Sequence, residues 1–267
     1  AAASSIAGGA VAVNAGMALT INRTRVDTFI GQGVTIDSPG ADVLVKTTYI
    51  ANASAFTIGV SVGGVAVGAT LAIVINLLDA YTYIGLTPSG TPAAGSSAAT
   101  AGSVKASTVN ISSDVAGVTT VFGIGVSGGG VAVNGIVALG FNRAVGCAAL
   151  YRANVEAGSI TITSVLSGDT TVTTTGLVLG GVAVGATVAL AQIKSVNRAM
   201  LDATGSVVKA NSISVNAGTA SNPYNSQAIV TVVTGTAGAA SIALNFAVAI
   251  NASTNTAAVQ GDRKSVV

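Results

Sequence analysis

GGVAVGATLAIVIN, residues 63–76, decides the fold because the chain writes it repeatedly. It returns as GGAVAVNAGMALTIN at 8–22, GGVAVNGIVALGFN at 129–142, GGVAVGATVALAQIK at 180–194 and, more loosely, AASIALNFAVAIN at 239–251. Marked by the second glycine or its equivalent, successive copies lie 55, 66, 51 and 59 residues apart. A period in this range is the signature of a repeat architecture, in which a unit buries its apolar face only by stacking on its neighbours.

Within a copy the residues alternate. Val11, Val13, Ala15, Met17, Leu19 and Ile21 are apolar and mostly large, whereas Ala12, Asn14, Gly16, Ala18 and Thr20 between them are small. Period two describes a strand with two unequal faces. Alanine alone would allow a helix, but Gly and β-branched residues at this density oppose one, and the spacing is wrong for it. The expected fold is therefore all-β, a parallel β-solenoid (β-helix) built from imperfect repeats of about 50–65 residues, with aliphatic ladders filling its interior. Four strand blocks per period suggest two coils of roughly 25 to 30 residues per repeat, hence a rod of roughly 45 Å at ~4.8 Å per coil.

The whole chain reads as one such segment, with repeats near 1–54, 55–118, 119–170, 171–230 and a partial 231–267. Length variation collects in LTPSGTPAAGSSAATAG at 86–102 and ASNPYN at 220–225, whose Pro, Gly, Ser and Asn mark loops. Asn22, Asn76, Asn142 and Asn251 close the first block of their repeats, with Lys194 in the fourth, so two readings stand: an asparagine ladder along the stacking axis or simple turn residues. Charges avoid that block and gather after it, at Arg23, Arg25, Asp27, Asp79, Arg143 and Arg198, which suggests a solvated edge.

Composition limits the chemistry. Of 267 residues, 11 are basic and 9 acidic, and there is no His and one Cys. Without imidazole there is no Ser-His-Asp or Cys-His relay, and Cys147 alone builds neither a disulfide within the chain nor a thiolate cage. A net charge of +2, spread thinly, gives no footprint for nucleic acid. Uncharged stretches at 47–78, 115–142 and 210–261 are apolar enough to suggest membrane spans, but their alternation and Gly, Thr and Val content favour strands, so no spanning segment is expected. No catalytic residue, cofactor or metal site is assigned. The dinucleotide-like run Gly123-Ile-Gly125-Val-Ser-Gly128 lacks a helix and an acidic partner after it. Asp37 with Asp42 is weighed as an acid–base or Ca²⁺ pair but recurs nowhere, the threonines at 170–175 are weighed as a flat array but do not recur at a rung spacing, and Cys147 reads as a small packed hydrophobe.

Through 63–76, YTYIG at 81–85 and their equivalents, nearly the whole chain resembles the repeat regions of large bacterial filamentous-haemagglutinin and leukotoxin-like exoproteins. That resemblance implies a secreted β-solenoid stalk at the surface of a Gram-negative bacterium. The resulting expectation is a non-enzymatic, extracellular stalk or filament-forming segment that associates end to end or laterally into fibres. Two alternatives are an adhesin whose loops at 86–102 and 220–225 bind a host glycan or protein, and a β-helix polysaccharide-degrading enzyme. Because the chain opens almost at a Gly-Gly block and closes on DRKSVV within a repeat, it is expected to be part of a longer polypeptide or a subunit with open ends.

Overall fold

The computed structural model describes residues 1–87, 102–218 and 225–261. Every element in them is a strand: β1 (Ala2–Ile30), β2 (Thr35–Gly85), β3 (Ser103–Tyr151), β4 (Asn154–Asp202), β5 (Val208–Ala217), β6 (Asn225–Ala237), β7 (Ala240–Asn251) and β8 (Thr254–Gln260). All pairings are parallel within one eight-stranded sheet ordered β1-β2-β3-β4, with β5 to β8 laid successively along β4. This is a parallel β-solenoid.

Its coil count differs from the expected one. Val13 pairs with Val67, Val67 with Val133, Val133 with Val184 and Val184 with Ile242, so each residue stacks on its counterpart a whole repeat away. One wide rung per repeat replaces two narrow coils, and five rungs at ~4.8 Å stack to roughly 24 Å instead of 45 Å. The strands are long because each rung folds back on itself. A first leg, 42–62 in β2, runs to the Gly-Gly pair, and a second leg, 65–85, returns against it. A short side, 35–38, closes the far end across a register break between Ser38 and Asp42.

Glycine at the bend is a steric requirement. A Cβ on Gly63, Gly129, Gly180 or Gly238 would run into the carbonyl oxygen of the bend glycine one rung earlier, namely Gly9, Gly63, Gly129 or Gly180. Gly9 also has a φ of +141°, which side chains rarely adopt. The repeated dipeptide therefore marks where neighbouring backbones approach too closely for any side chain.

The close return of the legs inverts the expected faces. Ala12, Ala18, Ala66, Ala72, Ala132 and Ala183 are 0 to 3% exposed, whereas Val11, Val13, Met17 and Ile21 of the first rung are 62 to 69% exposed. Small residues fill the interior near the bend, and the large aliphatic ladders lie outside. Period two specifies two faces without saying which is inside; here that is settled by the narrow space beside a Gly-Gly bend. The interior widens toward the closing side, where Val45, Ile84, Ile111, Leu150, Ile160, Ile162 and Leu201 form an aliphatic core.

Asn76 and Asn142 are buried inside and join the two legs, and Asn251 makes the same link in the exposed last rung. Asn76 Nδ2 donates to Ala51 O (3.2 Å) and Val118 O (3.3 Å). Asn142 Nδ2 donates to the equivalent Gly117 O (2.8 Å) and Asp169 O (3.2 Å), and Asn251 Nδ2 to Ser226 O (2.7 Å). Only Asn22 bonds its neighbour in the ladder, from Nδ2 to Asn76 Oδ1 at 3.0 Å. In the fourth rung the register puts Ile193 over Asn142, and Lys194 stacks on Arg143 outside. Asn197 supplies that rung's bond between the legs, to Ser164 O at 2.9 Å.

Candidate functional site

Extended backbone places alternate side chains of the second leg outward, and parallel stacking in register turns them into columns. Six columns run through residues 11, 13, 15, 17, 19 and 21 of the first rung and their partners in β2, β3, β4 and β7. Of the thirty residues so placed, Gly135 and Gln192 are the ones that are neither aliphatic nor Phe. A sheet with one solvated face ordinarily carries polar residues on it. The outer face of the first leg does mix them in: Asn52, Ser54, Thr120, Asp169, Thr171 and Thr173 point outward there. The second leg's face is thus apolar apart from Gln192.

The face has relief. Ala15, Ala69 and Gly135 form a furrow beside the ridge of Met17, Leu71 and Val137, opening a groove of about 390 Å³, and Ala186 and Val188 continue the two columns into the fourth rung. The furrow ends at the fifth rung, where Leu244 stands in it. Beyond the apolar columns comes the charged rim. Arg23, Leu77, Arg143 and Lys194 stack in one column, and Arg25 in the next pairs with Asp27 at 2.8 Å and lies 5.3 Å from the Tyr81 ring. Hydrogen bonding to Asp27, aided by its charge, raises the already basic Arg25 further. Phe29 stacks on Tyr83 at 5.2 Å between ring centres and 8° between planes.

A second polar feature lies on the closing side. Asp37, Lys105, Glu156 and Lys209 stack in one column, so signs alternate rung by rung, with 3.7 Å between Lys105 Nζ and Glu156 Oε1. Alternation keeps like charges two rungs apart and favours this register over slipped ones. Both partners of the close pair are about half exposed, so its contribution to stability is small.

The remaining candidates have structural positions. Asp42 accepts a hydrogen bond from Thr108 Oγ1 at 2.7 Å, and Asp37 belongs to the charge column on the other side of the register break. Among the described residues, no three His, Cys, Asp or Glu side chains gather as a metal site. Gly123 and Gly125 lie within the continuous strand β3, opposite Ile136 and Asn134 across the interior, so they form no phosphate loop. Thr170 and Thr174 point inward while Thr171, Thr173 and Thr175 point outward, which divides the threonine run between two faces. Cys147 is 1% exposed beside Tyr83 and Ala149, and burial pushes its thiol up to about 12. The loops at 86–102 and 220–225 fall largely on residues 88–101 and 219–224, outside those described, as does the terminal 262–267.

Sequence reasoning missed the turn joining β3 to β4. Arg152 adopts φ +51° and reaches back to Asp202 one rung on, Nε to Oδ2 at 3.5 Å. Burial favours a neutral Asp202, but hydrogen bonds from Thr204 and the Arg152 guanidinium outweigh it and hold the carboxyl below its ordinary range. No sequence motif distinguishes this clasp, because it depends on two turns being stacked. No described helix is long and apolar enough to cross a membrane. No known protein family, curated protein or solved structure matches the chain.

Proposed function

We propose that the chain is a non-enzymatic structural segment: a β-solenoid stalk or filament-forming part of a larger extracellular polypeptide, in a bacterial surface or secreted setting. One observation carries this reading. From the Gly-Gly bend through the second leg, the residues from 65, 131 and 182 onward stack on their counterparts in unbroken register through four rungs, and 240–251 and 254–260 continue the stack in a fifth, so the cross-section of this part is nearly constant along the axis. A constant cross-section gives length and rigidity, and its conserved register is a template on which like rungs of another copy can add. Copies therefore associate into fibres, end to end or side by side. Electron microscopy with diffraction averaging tests this: fibres with a meridional spacing near ~4.8 Å are expected, and a preparation of isolated short particles would contradict the filament role.

An adhesin is the second reading. The rung offset rises to 66 between β2 and β3, against 51 between β3 and β4, and the excess falls in the insertion at 86–102. Deleting 88–101 should abolish binding to host glycan or protein arrays if that loop recognises them; binding that persists would remove this reading.

A further inference from the structure

We propose that the outer apolar face of the second leg is a docking surface for a second copy of the same face, paired about a two-fold axis parallel to the stacking direction. This rests on the assembly reading above and specifies its lateral contact.

The first argument is area. Eleven residues at ~3.3 Å and five rungs at ~4.8 Å make a face of roughly 36 by 24 Å, about 870 Å². A standard stable interface buries about 800 Å² per partner. Contiguous apolar patches of this size are uncommon on free soluble surfaces. Exposure in the middle of the sheet supports it: Val65, Val131 and Val182 remain 39 to 45% exposed although each has a stacked neighbour on either side.

The second argument is shape. Under such a two-fold axis rung faces rung, the strands run oppositely, and the column of Met17 lies over the partner's column of Ala15. Ridge enters furrow twice, once in each direction, over the four rungs in which the furrow column carries Ala or Gly. The flanking columns then meet as Val13 with Leu19 and Val11 with Ile21, apolar against apolar except where Gln192 at the edge of the fourth rung faces the partner's Val182. Only a surface with the same rung spacing keeps this fit from one rung to the next, and a second copy has that spacing by construction.

The third argument is charge. The column of Arg23, Arg143 and Lys194 lies just outside one end of the footprint. The two-fold puts it past the partner's uncharged Gly-Gly bend, with the two basic columns at opposite ends. No charge is buried and none meets its like, so the interface has an apolar centre and a polar rim at each end.

Sedimentation of the full chain, with Ala69→Arg and Thr173→Arg, tests the pairing. Ala69→Arg fills the furrow with a charge, and Thr173→Arg makes the same kind of change on the outer face of the first leg. The wild type and Thr173→Arg are expected at twice the chain mass or multiples of it. Ala69→Arg is expected at half the wild-type mass per unit length, with unchanged β circular dichroism. If fibres form, those of Ala69→Arg should be half as wide as wild type. Fibres of unchanged width would overturn the pairing and leave the filament reading intact; discrete wild-type dimers without fibres would support the pairing and overturn the filament reading. A wild-type monomer, including one that floats with neutral phosphatidylcholine vesicles, would overturn the pairing.

Discussion

The two ends of each rung hold together by different means. At the closing side, Val45, Ile111, Ile162, Leu150 and Leu201 bury large aliphatic side chains in an interior wide enough to take them. At the bend, the interior holds Ala, Gly, Ser and Asn; stability there comes from backbone proximity and from bonds that join the legs, such as Ser61 Oγ to Val67 O at 3.0 Å and Ser127 Oγ to Val133 O at 3.1 Å. One end resembles an ordinary apolar core and the other a stacked backbone with little apolar volume. The contrast shows why a chain half hydrophobic by composition has its large aliphatics outside along most of the second leg.

Substitutions should separate the two ends. Ile162→Ala empties a fully buried site in the wide end and is expected to cost about 4 kcal/mol in denaturant unfolding. A loss below about 1 kcal/mol would mean that the wide end is not packed as described. Gly129→Ala adds one methyl against the Gly63 carbonyl at the bend and should cost about 2 kcal/mol, because backbone and not a side chain must move. Gly135→Ala, with open space at that position, is the control and should cost less than about 1 kcal/mol.

Much of this contrast was legible in the sequence, and three parts were not. The Gly-Gly pairs fixed the repeat, and the alternation of Val65 to Ile75 fixed strand. The inward face was not legible, since Val11 and Ala12 alternate identically whichever points inside. The coil count was hidden for a related reason: whether a strand of Thr35–Gly85 folds back or stacks on itself depends on contacts between its halves. The fourth asparagine position is hidden because Lys194 closes that copy in the sequence, whereas pairing places Ile193 over Asn142.

Smaller effects sharpen the comparison. Asn142→Ala removes two bonds between the legs and should cost about 1 to 2 kcal/mol, whereas Lys194→Ala, on the outer column, should leave stability nearly unchanged by the same assay. The Arg152–Asp202 clasp gives a pH signature. The folded-state carboxyl is held below its ordinary value, so its contribution is fully present above about pH 4 and is lost as pH falls through the folded-state value. Thermal melts from pH 6 down to 2 should therefore show a smaller acid-induced decrease in Tm for Asp202→Asn than for wild type. Equal decreases would mean that the clasp does not hold in solution.

Disulfide trapping tests the central claim most directly, that each repeat forms one wide rung. Val133 and Val184 are stacked partners on the outer face, 51 residues apart in the chain, so their Cα atoms lie within disulfide reach. In a two-coil arrangement the neighbour of Val133 would instead lie about half a repeat on, near Ser159. Oxidation of Val133→Cys with Val184→Cys, in a chain whose native Cys147 is buried, is expected to give a near-complete intramolecular disulfide by mass spectrometry, while Val133→Cys with Ser159→Cys gives none. The reverse pattern would contradict the single wide rung and the inward and outward faces that follow from it.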